Sequence, residues 1–143
     1  MKIKLFMMLT IISILICLPA CSSATPLEVD CDTFRENNHL TNRVEVSNGE
    51  TFTVTLCSNP TTGFKWQETA EIADQSVLQQ TGHEFIAPGS SDGKRPMPGS
   101  AGVEVWTFKA LKTGNTTVYM EYGRPWEGGE KAVWTYKLTV VVK

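Results

Sequence analysis

Histidine is scarce in this sequence, and neither sign of charge predominates. Among 143 residues there are 2 histidines, and 13 Lys and Arg stand against 15 Asp and Glu, for a formal net charge of −2. No basic run occurs, so we expect no nucleic-acid partner, because such binding depends on neutralising many phosphates. Metal-ligand spacing such as C-x-x-C is also missing, and only His39 and His83 could assist a cysteine ligand. We therefore expect no metal and no cofactor.

Long hydrophobic runs are missing as well. The nearly apolar stretch at residues 5–16 has about 12 residues, against the roughly 20 that a membrane-spanning helix needs. It follows two lysines and leads to Leu18-Pro19-Ala20-Cys21, which is the layout of an export signal. The Leu-x-Ala-Cys ending resembles a lipobox and predicts a lipid on Cys21. An ordinary signal peptide that is cut nearby is the alternative.

Export and lipidation divide the chain into three parts. Residues 1–20 are the predicted lipoprotein signal peptide, 21–26 a lipid-anchored tether, and 27–143 one domain, which is of usual length and too short for a TIM barrel. We expect a monomer, exported and lipid-anchored at the cell envelope on its periplasmic or extracellular face. The membrane would be a partner only through the lipid on Cys21.

The four cysteines follow the same division. Cys17 leaves with the signal and Cys21 takes the lipid, so Cys31 and Cys57 remain in an oxidising setting that favours a disulfide. Such a bridge closes a loop of about 27 residues and contributes roughly 3 kcal/mol to stability. Two unpaired thiols in the core are the alternative, because sequence alone gives no distance between them.

Apolar and polar residues alternate through most of the predicted domain, which is typical of half-buried β-strands. Phe52, Val54 and Leu56, for example, are separated by threonines. The clearest strand candidates are residues 51–57, 105–110, 117–122 and 134–142, and weaker ones are 27–31, 40–46, 64–69 and 83–87. Only residues 73–80 look helical. The pattern predicts an all-β fold, an antiparallel β-sandwich of seven to eight strands, with a small barrel as the alternative.

Three loops differ from plain connectors, and the first is Asn59-Pro60-Thr61-Thr62-Gly63. The proline stiffens the backbone, the glycine permits a left-handed turn, and the two threonines offer exposed hydroxyls. An ordinary hairpin turn would use the same residue types, so that interpretation stays open.

The second loop is the long stretch at residues 88–102, which is rich in Gly, Ser and Pro. Its end, Gly99-Ser100-Ala101-Gly102, lacks large side chains, so another backbone could approach it closely. Loops of this length are often functional, and a disordered surface loop is the alternative.

The third loop is Arg124-Pro125-Trp126, followed by Glu127 and two glycines. A tryptophan exposed beside an arginine, on a turn stiffened by proline, has the composition of a binding hot spot. The alternative is a tryptophan that folds back to cap the core.

Together the loops carry a family resemblance. The segment SNPTTGF at residues 58–64, followed by Trp66, resembles the hallmark loop of the chagasin family of cysteine protease inhibitors. Residues 99–102 stand where that family has a glycine-rich loop, and YGRPW at residues 122–126 is similar to its R-P-W loop. Order and spacing agree from about residue 40 to the end of the chain.

The resemblance implies an immunoglobulin-like sandwich that inhibits papain-like cysteine peptidases tightly and reversibly, with three loops inserted into the catalytic cleft. Thr62 would lie near the cysteine–histidine pair of the enzyme, residues 99–102 on the non-primed side, and Arg124 with Trp126 on the primed side. The peptidase-binding residues would be Asn59, Pro60, Thr61, Thr62, Gly63, Phe64, Gly99, Ser100, Ala101, Gly102, Arg124, Pro125 and Trp126.

Two other classes of function compete with this one. A non-inhibitory envelope lipoprotein could bind a protein or a glycan through Trp126 and the same loops. An enzyme is disfavoured, because His39 and His83 lie in no catalytic motif. Asp30 and Asp32 fit a solvated strand edge better than an acid–base pair. We therefore expect no catalytic residues.

Overall fold

The computed structural model describes residues 27–89, 97 and 99–143. The predicted signal peptide, Cys21 and the tether lie outside the described residues, as do residues 90–96 and 98 of the long second loop. The elements are β1 (Leu27–Val29), α1 (Cys31–Glu36), β2 (His39–Val46), β3 (Thr51–Ser58), a 3-10 helix (Pro60–Thr62), β4 (Lys65–Trp66), β5 (Glu71–Ile72), β6 (Leu78–Ile86), β7 (Gly102–Ala110), β8 (Gly114–Gly123) and β9 (Trp134–Val142).

The strands form two sheets, with the orders β1-β3-β7-β6 and β2-β9-β8-β4, and β5 also pairs with β8. The predicted all-β sandwich is thus confirmed over the barrel, with nine strands in the described part of the chain. The strand without a predicted counterpart is β5, whose two residues are too few to give an alternating pattern, and β4 covers only two residues of the strand predicted at 64–69. Both sheets are mixed and not purely antiparallel, because β1 runs parallel to β3 and β2 parallel to β9.

The core lies between the sheets and is built from the strand side chains that point inward, which are every second residue of each strand. Phe52, Val54 and Leu56 of β3 are buried, and they face side chains of β8 and β9 such as Met120 and Leu138. Because successive side chains of a strand point to opposite faces, the alternation in the sequence fixes which residues enter this core.

The single predicted helical stretch, residues 73–80, is not helical. Asp74 turns the chain there, with its Oδ1 accepting from the backbone N–H of Ser76 at 2.9 Å. Leu78 then begins β6 and pairs with Ala110. Pairing with β7 and complete burial of Leu78 outweigh the weak local helix preference of the segment.

The helix that does form, α1, follows β1 in a segment for which the sequence pattern predicted a strand only up to Cys31 and no helix. Asp30 is its N-cap, and the Oδ1 atom accepts from the backbone N–H of Thr33 at 2.7 Å. This hydrogen bond lowers the pKa of Asp30, because it favours the carboxylate form. Phe34 is fully buried and attaches the helix to the core. Asp30 and Asp32 therefore belong to a helix start, not to a strand edge.

The predicted pairing of Cys31 with Cys57 is confirmed. The two cysteines form a disulfide with a Cα–Cα separation of 5.1 Å. It connects the first residue of α1 to β3, directly before the first loop. In the described part of the chain, no helix has the length and hydrophobicity required to cross a membrane.

Strand register brings the three loops to one end of the sandwich. Ser58 at the end of β3 pairs with Gly102 at the start of β7. In the other sheet Lys65 pairs with Gly123, and Tyr122 pairs with Trp134. The connections β3–β4, β6–β7 and β8–β9 therefore all lie at the same end of the sandwich.

Candidate functional site

The candidate site is the tip formed by loop 1 (residues 59–64), loop 2 (residues 99–102, the end of the long second loop) and loop 3 (residues 124–126). Loop 1 is a single 3-10 turn, in which the N–H of Thr62 donates to the carbonyl of Asn59 at 3.2 Å, and that of Gly63 to Pro60 at 3.0 Å. Pro60 occupies the start of the turn. Gly63 ends it with φ 79°, a left-handed conformation that glycine adopts without a steric cost.

Asn59 organises loop 1 and connects it to its surroundings. Its backbone N–H donates to the Tyr122 hydroxyl at 3.0 Å, and its side-chain Nδ2 donates to the Gly99 carbonyl at 3.0 Å. Its two oxygens accept from the threonine hydroxyls, Oδ1 from Thr61 at 2.6 Å and the carbonyl oxygen from Thr62 at 2.7 Å. Loops 1 and 2 are thus joined directly.

The two threonines are exposed, as the sequence predicted, but their hydroxyl protons point inward. Each hydroxyl has only one proton, which is already donated to Asn59. The Thr61 and Thr62 hydroxyls are therefore free to act toward the surroundings only as hydrogen-bond acceptors.

Loop 2 contains two glycines in different surroundings. Gly99 has φ +84° and open space on its Cβ side. Gly102 is buried in β7, and a Cβ there would collide with the carbonyl oxygen of Ile86 and the ring of Phe85. At Gly102, the lack of a side chain allows Ile86 and Phe85 of the same protein to approach closely. At Gly99 the corresponding space is open.

Loop 3 presents Trp126, whose relative exposure is 51%, so it does not cap the core. The indole packs on loop 1, since a Cβ built on Gly63 would lie 2.7 Å from Cη2 of Trp126. The Arg124 guanidinium lies 4.4 Å from the Phe64 ring centre and 5.7 Å from the Trp126 ring centre. Lys131 Nζ donates to the Trp126 carbonyl at 3.0 Å and fixes the loop backbone.

A row of stacked rings supports the tip from below. Phe64 stacks on Tyr122 at a centroid distance of 5.8 Å, Tyr122 on Trp134 at 4.7 Å, and Trp134 on Phe34 of α1 at 5.1 Å. The row connects loop 1 through β8 and β9 to the helix that the disulfide holds. The tip is therefore packed against the aromatic part of the core.

A buried polar cluster below the loops was not predicted. Glu104 on β7 is only 5% exposed, and its Oε1 accepts from the Ser58 hydroxyl at 2.6 Å. Its Oε2 lies 2.8 Å from Nε2 of His83. The sequence did contain a signal for this cluster. Glu104 alternates in step with Trp106 and Phe108, so it points into the core, where a charged side chain needs hydrogen-bond partners.

The fold and the arrangement of the loops define a class of protein, an immunoglobulin-like sandwich with three contacting loops at one end. The family described as chagasin family peptidase inhibitor I42 matches residues 45–140, and the chain belongs to this family. Its members are inhibitors, so the chain is not an enzyme, as the lack of a catalytic motif predicted.

Relatives agree with this assignment. Amoebiasin-2 of Entamoeba histolytica is 27% identical over 108 residues, which cover 76% of this chain and 81% of the relative. The crystal structure of the cysteine protease inhibitor EhICP2 from Entamoeba histolytica aligns with a TM-score of 0.58 at 23% identity, covering 83% of this chain and all of that chain. PbICP-C, solved in complex with falcipain-2, aligns with a TM-score of 0.57 at 16% identity, over 82% of this chain and 99% of that one. Both structural matches confirm the sandwich fold.

Proposed function

We propose that the chain is a reversible inhibitor of papain-like cysteine peptidases, and that loops 1, 2 and 3 enter the catalytic cleft together. The observation that carries this proposal is the joining of the loops, because Asn59 is bonded to Gly99 and Trp126 packs on Gly63. They form one surface, as a three-loop wedge requires. Membership of a peptidase-inhibitor family favours this function over a non-inhibitory envelope module that binds a protein or glycan.

The closed turn of loop 1 explains how such a wedge would escape cleavage. A peptidase cleaves a backbone that lies extended in its groove, with a carbonyl in line with the thiolate. Thr62 and Gly63 donate their backbone N–H groups back into a 3-10 turn, and Pro60 fixes φ at its start. The turn fills the groove without presenting an extended segment to the sulfur.

The orientation of the threonine hydroxyls assigns a role to Thr62. The catalytic pair of a papain-like enzyme is a thiolate beside an imidazolium. Because the Thr62 proton is donated to the Asn59 carbonyl, the Thr62 oxygen faces the enzyme as an acceptor for the imidazolium N–H or for a backbone N–H. Loop 1 contains no charged side chain, so shape and hydrogen bonds position it in the cleft.

Loops 2 and 3 would occupy the two sides of the peptidase's catalytic centre. Residues 99–102 would lie along the non-primed side, where Gly99 has open space for a neighbouring backbone. Arg124, Pro125 and Trp126 would pack on the primed side. Loops that are held together by contacts before docking lose less entropy on docking, and three of them can reach the standard interface of roughly 1,600 Å².

Inhibition of papain by the purified chain from residue 22 onward tests the proposal. We expect complete, reversible inhibition with the inhibitor recovered uncleaved. A folded β-sheet spectrum without inhibition at micromolar concentration would favour the non-inhibitory binding module. A cleaved inhibitor would contradict the closed-turn mechanism.

We further infer that the domain at residues 27–143 is exported and attached to the cell envelope by a lipid on Cys21, with residues 22–26 as the tether. The Leu-Pro-Ala-Cys ending of the apolar stretch supports this, and so does the Cys31–Cys57 disulfide, since such bonds persist in oxidising compartments. Mass spectrometry of the N-terminal peptide from membranes tests it. The lipid should be present in the wild type and missing in Cys21→Ala, whereas processing elsewhere would contradict it.

A further inference from the structure

Glu104 is a buried carboxylate at the root of the site. It stands in β7 two residues after Gly102, the last residue of loop 2, and its relative exposure is 5%. Burial of a carboxylate is unfavourable unless hydrogen bonds or an opposite charge compensate for it. An apolar residue would fit the inward phase of β7 without this cost.

Two of the three partners that Glu104 has among the described residues lie in the stems of loop 1, the strand residues that directly precede and follow it. Oε1 accepts from the Ser58 hydroxyl at 2.6 Å, and Ser58 ends β3 directly before Asn59. The same oxygen lies 3.4 Å from the backbone nitrogen of Trp66 in β4, just after the loop. Oε2 is bonded to His83 of β6 at 2.8 Å.

These contacts cross the sandwich. The strand β3 belongs to one sheet and β4 to the other, so one carboxylate holds together the two ends of loop 1 where they diverge into different sheets. Nε1 of Trp66 donates to the Cys57 carbonyl at 2.9 Å and links the same two strands a second time. The separation of the stems sets the shape of the turn between them.

We propose that Glu104 is a positioning residue for inhibition, which holds both stems of loop 1 at the separation that gives the tip its inhibitory shape. The inference rests on the proposed inhibition of papain-like peptidases. Glu104 does not itself meet the enzyme, because it is buried beneath the loop. His83 orients the carboxylate by engaging Oε2 and leaves Oε1 for the stems.

The test compares Glu104→Leu with Glu104→Gln in the full chain. Leucine removes both acceptors, and we expect the inhibition constant against papain to rise about tenfold, the equivalent of roughly 1.4 kcal/mol. Glutamine keeps one oxygen for Ser58 and Trp66, so it should stay within about threefold of wild type. Glu50→Leu is the matched control, because Glu50 accepts from the Ser47 N–H in the turn at the opposite end.

Amide hydrogen exchange separates positioning from general stability. The N–H groups of Thr62 and Gly63 report on loop 1, and that of Ala73, bonded to the Thr117 carbonyl, reports on the sheet away from the tip. Glu104→Leu should accelerate exchange in loop 1 and leave Ala73 unchanged. Equal acceleration at both places, or an inhibition constant within twofold of wild type, would overturn the proposal.

If Glu104→Leu does not fold, Ser58→Ala tests whether Glu104 positions loop 1. It removes one stem contact, so a rise in the inhibition constant with faster exchange in loop 1 supports the proposal, and unchanged values overturn it. A wild-type chain that fails to inhibit papain instead refutes the proposed function. The exchange measurement would then still show whether Glu104 holds loop 1.

Discussion

The side-chain amide of Asn59 donates a hydrogen bond to the carbonyl oxygen of Gly99 at 3.0 Å, and it thereby joins two loops that are 40 residues apart in the chain. The oxygen of the same amide accepts from Thr61. One side chain thus closes loop 1 and fixes its position relative to loop 2. The geometry of the tip depends on an amide group, with its donor on one side and its acceptor on the other.

Replacing Asn59 with aspartate should weaken inhibition strongly. The carboxylate can still accept from Thr61, but it has no donor for Gly99 and places a negative charge against that carbonyl. The loss of one partner costs about 1–3 kcal/mol, so we expect the inhibition constant against papain to rise roughly 5- to 150-fold. Asn48→Asp, which adds the same charge at the opposite end, should inhibit like wild type. Equal inhibition by both variants would contradict the role of the amide.

Gly63→Ala should disturb loop 3 through loop 1. The added Cβ would lie 2.7 Å from Cη2 of Trp126, so the indole must move. Gly49→Ala is a close control, because Gly49 has φ +82° but nothing within 4 Å of its Cβ position. Both variants should lose roughly 1–2 kcal/mol of stability from the left-handed backbone, measured by urea unfolding.

Only Gly63→Ala should weaken papain inhibition, by about tenfold or roughly 1.4 kcal/mol. If the two alanine variants inhibit equally well, the packing of Trp126 on Gly63 has no part in binding.

Trp126→Ala should weaken inhibition strongly. The residue is 51% exposed, so about half of it is free to be buried by a partner, and a tryptophan anchor in an interface contributes about 2 kcal/mol or more, roughly 30-fold in the inhibition constant. Leu111→Ala removes another partly exposed apolar side chain, at the opposite end, and serves as the control. An unchanged inhibition constant for Trp126→Ala would remove it from the interface.

Removing the disulfide should lower stability and loosen the base of loop 1. Cys31 and Cys57 are 26 residues apart, and a bridge over that span contributes roughly 3 kcal/mol by restricting the unfolded chain. We expect the Cys31→Ser, Cys57→Ser double variant to unfold at lower urea, with the same transition whether or not a reductant is present. The wild-type protein should unfold at the same low urea concentration only when reductant is present. If the unfolding of the wild-type protein does not respond to reductant, the result argues against the bond.

The stability of α1 should depend on pH through Asp30. The pKa of Asp30 is lowered in the folded state, chiefly by the Thr33 backbone N–H, so its contribution is complete above the ordinary value of 3.8. That contribution is lost as the pH falls through the lowered folded pKa. Asp30→Asn keeps a capping oxygen that does not titrate, so its melting temperature should fall less than that of wild type below pH 4. An equal decrease in the melting temperatures of the two proteins below pH 4 would contradict this.

Several features could be predicted from single segments because their causes are local. Alternation in residues 51–57 determines that Phe52, Val54 and Leu56 point inward, whichever strand lies beside them. Pro60 and Gly63 determine a tight turn through their own backbone preferences. The helix α1 was missed because six residues with one buried side chain give no periodic signal, although Asp30 and Thr33 have the spacing of an N-cap.

The sequence by itself determined an all-β domain and a short turn at Pro60, because each depends on preferences within a few residues, whereas it left open whether Trp126 is exposed or caps the core. Only the tertiary structure decided that Asn59 meets Gly99, that Trp126 rests on Gly63, and that Glu104 holds both stems of loop 1. These contacts join residues from different strands and sheets. They depend on strand register and on the packing of one sheet against the other, which no local pattern specifies.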